Sequence, residues 1–144
     1  LFVKDTTVKF RVNSSGDCDN ANGSFGQITS DERFKENIVD ANSQWEDVKN
    51  IKIRNWNFKT STGYDTHTQI GPIAQELQKV CPNLIKSRKA SEEEIKNSGG
   101  LIKEGDEVFT YKASIMLLKG FKALQEAMAK IETLETKVAA LEAA

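Results

Sequence analysis

ASIMLLKGFKALQEAMAKIETLETKVAALEAA, residues 113–144, decides the architecture. It contains no proline and a single early glycine, Gly120, so nothing in it stops a helix. Leu117, Leu124, Ile131 and Val138 recur every seven residues, with Ala127, Leu134 and Leu141 offset by three. That is the spacing of a coiled-coil seam, sustained for about three to four heptads. One such helix alone leaves its stripe in water, so the pattern calls for partner helices. The bland alternative folds the stripe back onto the chain's own head. Taken alone, β-branched Ile131 and Val138 at a with Leu134 and Leu141 at d favour a parallel dimer.

Upstream of this helix the chain is mixed. VFTY (108–111) is a short apolar run, and SRKASEEEIKNSGGLIKEGDE (87–107) reads as a polar, exposed loop. QIGPIAQELQKVCPNLI (69–85) predicts a Gly-Pro turn feeding a helix, with Ile73, Leu77 and Val80 on one face and Pro82 as the stop. STGYDTHT (61–68) is loop, and its His67 has no Cys or second His nearby, which makes it a surface histidine. In QWEDVKNIKIRNWNFKT (44–60), Ile51 and Ile53, then Trp56 and Phe58, alternate as two paired strands with a turn or bulge near Asn55. Residues 31–39 permit a short helix. NSSGDCDNANGSFGQIT (13–29) is turn chemistry, and LFVKDTTVKFRV (1–12) alternates as strand, with Val8, Phe10 and Val12 on one face. The fold class expected is α+β: a small mixed head of short strands and helices, then a long C-terminal helix.

With 144 residues the chain fits one ordinary domain, or a smaller one with extended attachments. Its net charge of −1 comes from interspersed signs, which argues against nucleic acid. No run approaches the roughly 20 apolar residues of a membrane helix, and no leader pattern opens the sequence. Cys18 and Cys81 lie far apart in contexts of opposite polarity, which suggests neither a disulfide framework nor a zinc site; a reducing compartment is expected. Cys81 reads as packing. DCDNANGSFGQI places Asp17 and Asp19 as a calcium loop would, but has Ala21 at the fifth position, Asn22 at the sixth and Ile28 at the twelfth, so that reading fails. Asn13 and Asn22 begin N-x-S sequons that matter only in a secreted chain. No cofactor or metal is expected.

SDERFKENI (30–38) stands where composition changes. As structure, Thr29 and Glu32 fit a capping box, Ser30 is an acceptable N-cap, and Asp31 with Lys35 is an i,i+4 pair. As chemistry, Ser30 is a nucleophile and Lys35 its base. The interval alone proves nothing, because Ser91 with Lys96, Ser98 with Lys103, and Ser114 with Lys119 repeat it.

SDERFKENI, then IGPIAQELQKVCPNLI (70–85), then VFTYKASIMLLKGFKALQEAMAKIETLETKV (108–138) resemble, in that order, the blocks of the intramolecular chaperone domain that ends phage tailspikes and tail fibres. This family is known from endosialidases and classed as a self-cleaving peptidase with a Ser-Lys dyad. The resemblance implies a homotrimer, with the upstream fibre segment as folding client, acting in the host cell cytoplasm during virion assembly. It further implies Ser30 and Lys35 as catalytic residues and Thr29-Ser30 as the scissile bond, after which the chaperone part leaves the mature fibre. The domains implied are the end of the fibre stalk at 1–29, the chaperone head at 30–112 and the coiled-coil helix at 113–144. On this basis a trimer is expected over the dimer that the seam alone favours. Phe34 stands where the family commonly has an aliphatic residue, and Pro72 follows Gly71 where it has an apolar one.

A serine must lose its proton as it attacks, and a lysine can take that proton only when neutral. Shifting a lysine about three units toward neutrality requires roughly 4 kcal/mol, from burial or a neighbouring cation. Five residues of ideal helix turn about 500°, so Ser30 is expected before or at the helix cap, with Lys35 reaching back. Backbone N–H groups of the helix start are candidate donors to the oxyanion on Thr29. The rival readings are a trimerisation module whose SDERFKENI only caps a helix, and a Ser-Lys hydrolase acting on other substrates.

Overall fold

The computed structural model describes residues 10–12, 18–20 and 29–143, and the chain divides into two compact units, Leu1–Asp40 and Ala41–Ala144. The readings made on residues 1–9, on Asp17 and on the sequons at Asn13 and Asn22 lie outside the described residues. In the first unit, β1 (Phe10–Val12) pairs antiparallel with β2 (Cys18–Asn20), opposing Phe10 to Asn20 and Val12 to Cys18. The segment read as pure loop therefore contains a strand, Cys18–Asn20. The helix expected over 31–39 is only a three-residue 3₁₀ turn, Glu32–Phe34. Lys35 leaves it in an extended conformation, and Asn37 takes a left-handed φ of 53°.

The second unit bears out the α+β class: two short antiparallel sheets, three short helices and one long C-terminal helix. Here α1 is Trp45–Asn50, with Glu46 and Asp47 in its first turn, where the helix dipole favours them. The first of the two strands expected from Ile51 to Phe58 does not form: Ile51 caps the end of α1, its N–H closing on the Asp47 carbonyl at 3.1 Å, and the chain through Ile53 is irregular. Only β3 (Arg54–Trp56) is strand, and its partner is the distant β4 (Gln69–Gly71), with Asn55 opposite Ile70. Then come α2 (Ala74–Val80), a 3₁₀ turn at Pro82–Leu84, and β5 (Ile85–Lys89).

The polar stretch 87–107 is not a loop. It completes β5, forms α3 (Glu92–Asn97) and enters β6 (Glu107–Tyr111), which pairs with β5 from Ile85–Tyr111 to Lys89–Glu107. The helix forms because Ser91 caps it: the Ser91 hydroxyl accepts from Glu94 N–H at 3.2 Å, while Glu94 Oε2 accepts from Ser91 N–H at 2.9 Å. Arg88 grips both oxygens of Glu94 at 2.7 Å and holds its carboxyl down to about 2.

The buried apolar cluster is small: Leu77, Cys81 and Leu84, flanked by Ile51, Val80, Ile85 and Met116. Burial, with the Asp47 carboxylate beside it, pushes the Cys81 thiol up, as packing rather than reactivity requires. The long helix α4 runs from Ala113 to Glu142. Its first half is bound to α1: Lys119 Nζ donates to Asp47 at 2.7 Å and also to Gln44 Oε1, and Glu126 accepts from Ser43 Oγ at 2.7 Å and Gln44 N–H at 2.9 Å. Lys130 Nζ lies 3.5 Å above the Trp45 ring. Past that point every described residue of α4 is exposed, including Leu134, Val138 and Leu141. The folded-back alternative for the stripe is not what this unit adopts. No helix among the described residues is long and apolar enough to cross a membrane.

Candidate functional site

The sequence of SDERFKENI dictates a tight knot. Asp31 precedes the 3₁₀ turn with extended dihedrals, and its Oδ1 accepts from Arg33 N–H at 2.9 Å, the N-cap contact that short acidic side chains make. Phe34 N–H closes on the Asp31 carbonyl at 3.2 Å and Lys35 N–H on that of Glu32 at 2.9 Å. Across this single turn the Lys35 side chain returns to Ser30.

There Lys35 Nζ lies 2.6 Å from Ser30 Oγ and 3.0 Å from the Ser30 carbonyl oxygen. Ser30 sits before the turn and Lys35 reaches back to it, as the helical geometry demanded. The N-cap, however, is Asp31 and not Thr29 or Ser30, which leaves the Ser30 hydroxyl free of capping duty. Both Ser30 and Lys35 are exposed, as is Thr29. The N–H groups of Arg33, Phe34 and Lys35, among the donors expected for an oxyanion, are spent inside the turn.

The i,i+4 pair expected between Asp31 and Lys35 is replaced by another. Arg33 clasps the Asp31 carboxylate with Nη2 at 2.6 Å and Nε at 3.0 and 3.2 Å. The guanidinium holds the Asp31 carboxyl below the usual carboxylate range, and the carboxylate raises Arg33 in turn. Sequence reasoning missed this contact because i,i+4 pairing presumes an α-helix, whereas a 3₁₀ turn lets residue i+2 bend back onto its own cap.

The other three Ser-Lys intervals are otherwise employed. Ser91 caps α3; Ser98 is buried, donating to the Ile95 carbonyl at 2.8 Å and accepting from Ile102 N–H at 3.1 Å; Lys119 is tied to Asp47. His67 is exposed, with Nδ1 3.0 Å from Asp65 Oδ2.

Among known protein families, residues 30–86 match a peptidase family described as the chaperone of endosialidase. The match begins at Ser30 and ends at the start of β5, so it bears out the family resemblance over the motif and α2, while α3, β6 and α4 lie beyond it. No curated protein matches the chain.

Proposed function

We propose that this chain carries the C-terminal intramolecular chaperone of a phage tail fibre or tailspike, which trimerises, assists folding of the segment upstream of Ser30, and then severs itself from that segment. A chaperone of a peptidase family is what the match to residues 30–86 supports. The finer reading rests on one observation: at the first residue of the match, a lysine amine lies 2.6 Å from a serine hydroxyl that has no capping role.

In the proposed reaction Ser30 Oγ attacks the carbonyl carbon of Thr29 while Lys35 Nζ takes the hydroxyl proton. The tetrahedral centre collapses as the Thr29-Ser30 C–N bond breaks, and Lys35 returns the proton to the departing Ser30 amine. Thr29 is left as an ester on Ser30 Oγ, and water hydrolyses it to a Thr29 carboxylate and a free serine. Attack on its own preceding peptide bond gives the hydroxyl the advantage of proximity, so no separate substrate pocket is required. Lys35 has to be neutral to act, and in the single chain it stands in water. Association of copies, through the stripe exposed on α4, is the proposed means of desolvating it, which confines cutting to assembled chains.

The second reading, a trimerisation module without catalysis, draws on the same exposed stripe and needs nothing from Ser30. Denaturing electrophoresis of the expressed chain separates the two. Self-cleavage yields a product whose first residue is Ser30, and Ser30→Ala and Lys35→Ala stay whole. Equal cutting of both variants and parent excludes the dyad, and an uncut parent favours the module.

A further inference from the structure

We propose that Arg33 is a positioning residue of the self-cleavage reaction, which acts by holding the Asp31 carboxylate away from Lys35. This rests on the reading of Ser30 and Lys35 as nucleophile and base. A base lysine next to a carboxylate is held in its charged, useless form by direct attraction. The motif places an aspartate immediately after the nucleophile and four residues before the base, the interval at which acid and amine meet on a helix. The fold does not let them meet. Three hydrogen bonds from the Arg33 side chain occupy both Asp31 oxygens, and a fourth from Arg33 N–H fixes the carboxylate as the cap of the turn.

The contact is made by an arginine whose side chain is 81 % exposed, so it buries nothing and packs no core. An exposed ion pair of this kind contributes little to stability. Its placement has a consequence for charge instead: among the described residues, Lys35 Nζ keeps company with Ser30 Oγ and the Ser30 carbonyl, both neutral acceptors. Glu32 and Glu36, the remaining carboxylates flanking Lys35 in sequence, form no ion pair with it among the described residues. Arginine suits the task because its planar fork satisfies a carboxylate on both oxygens at once and stays charged at any relevant pH.

The test is the pH dependence of the first-order self-cleavage rate in the full chain, for the parent, Arg33→Gln, Arg33→Lys, and Arg33→Gln combined with Asp31→Asn. Loss of Arg33 frees the carboxylate, so the pH of half-maximal cleavage in Arg33→Gln is expected to rise by about one unit, with cutting about tenfold slower below that midpoint. Arg33→Lys keeps a cation and is expected to fall between. The double variant removes the carboxylate's charge but keeps a side-chain amide oxygen able to cap the turn, and its midpoint is expected to return to that of the parent. A parent that cuts while Arg33→Gln shows an unmoved midpoint, or while the double variant is no better than the single one, overturns the role of Arg33 and leaves the dyad standing. A parent that does not cut at any pH overturns both.

Discussion

The two halves of α4 have the same kind of sequence and the same open apolar stripe, but only one is tied to its own unit. From Ala113 to about Lys130 the helix is worked into its own unit: Met116 packs against the Leu77, Cys81 and Leu84 cluster, Ala123 is buried, and Lys119, Glu126 and Lys130 reach α1 and the residues just before it. From Ile131 onward these ties end, and Ile131, Leu134, Val138 and Leu141 are 51 to 77 % exposed; the heptad stripe is as open in the near half, where Leu117 and Leu124 are 61 and 55 % exposed and the packing is made by residues off the stripe. Apolar spacing alone therefore does not say what a helix packs against. The near half is held to its unit by residues beside the stripe, the far half is exposed at every described residue, and the open stripe along both is the surface proposed for association of copies.

The largest effect is expected at the far half of α4. Ile131→Lys with Leu134→Lys places two charges on the exposed seam. The expected outcome is loss of association by analytical ultracentrifugation and at least tenfold slower self-cleavage, with the circular dichroism of the head retained; unchanged sedimentation contradicts the role given to the stripe. At the near half the expected effect is thermodynamic. Leu77 is 2 % exposed, so Leu77→Ala opens a cavity and is expected to cost about 3 kcal/mol in urea unfolding. A cost below about 1 kcal/mol shows that the cluster is not the anchor of α4.

The smallest effect belongs to the polar tie at α3. The Glu94 carboxyl is depressed from 4.5 to about 2, foremost by Arg88. A depressed folded-state value means that the stabilisation is fully present above about 4.5 and is lost as pH falls toward about 2. An NMR titration of the Glu94 side chain is expected to show this low midpoint, with Arg88→Ala raising it. A parent midpoint in the ordinary carboxylate range removes the tie.

How much of this was legible in sequence depends on whether the signal was local. The helices α2 and α4 followed from period, proline placement and the absence of breakers, and both appear where expected. α3 was hidden by its charge: SEEE looked solvated, although Ser91 with Glu94 is a capping box and announces a helix start. β3 was misread because its partner lies across a twelve-residue connection, Asn57–Thr68, which no local pattern reveals. At the site, the interval between Ser30 and Lys35 recurs at three other serines, so spacing cannot select it. Selection came from competing uses: in each of the other pairs the serine caps a helix or is buried, or the lysine is ion-paired, and the Asp31-Arg33 clasp that frees Ser30 from capping needs a 3₁₀ turn that the α-helical template did not offer.

The most direct test of self-cleavage is the intact mass of the chain after expression, before and after incubation at mildly alkaline pH. A fragment beginning at Ser30, formed at a rate independent of protein concentration once oligomers are complete and missing from Lys35→Ala, is the expected result. A single uncut mass in both proteins, or a cut at any bond other than Thr29-Ser30, contradicts it.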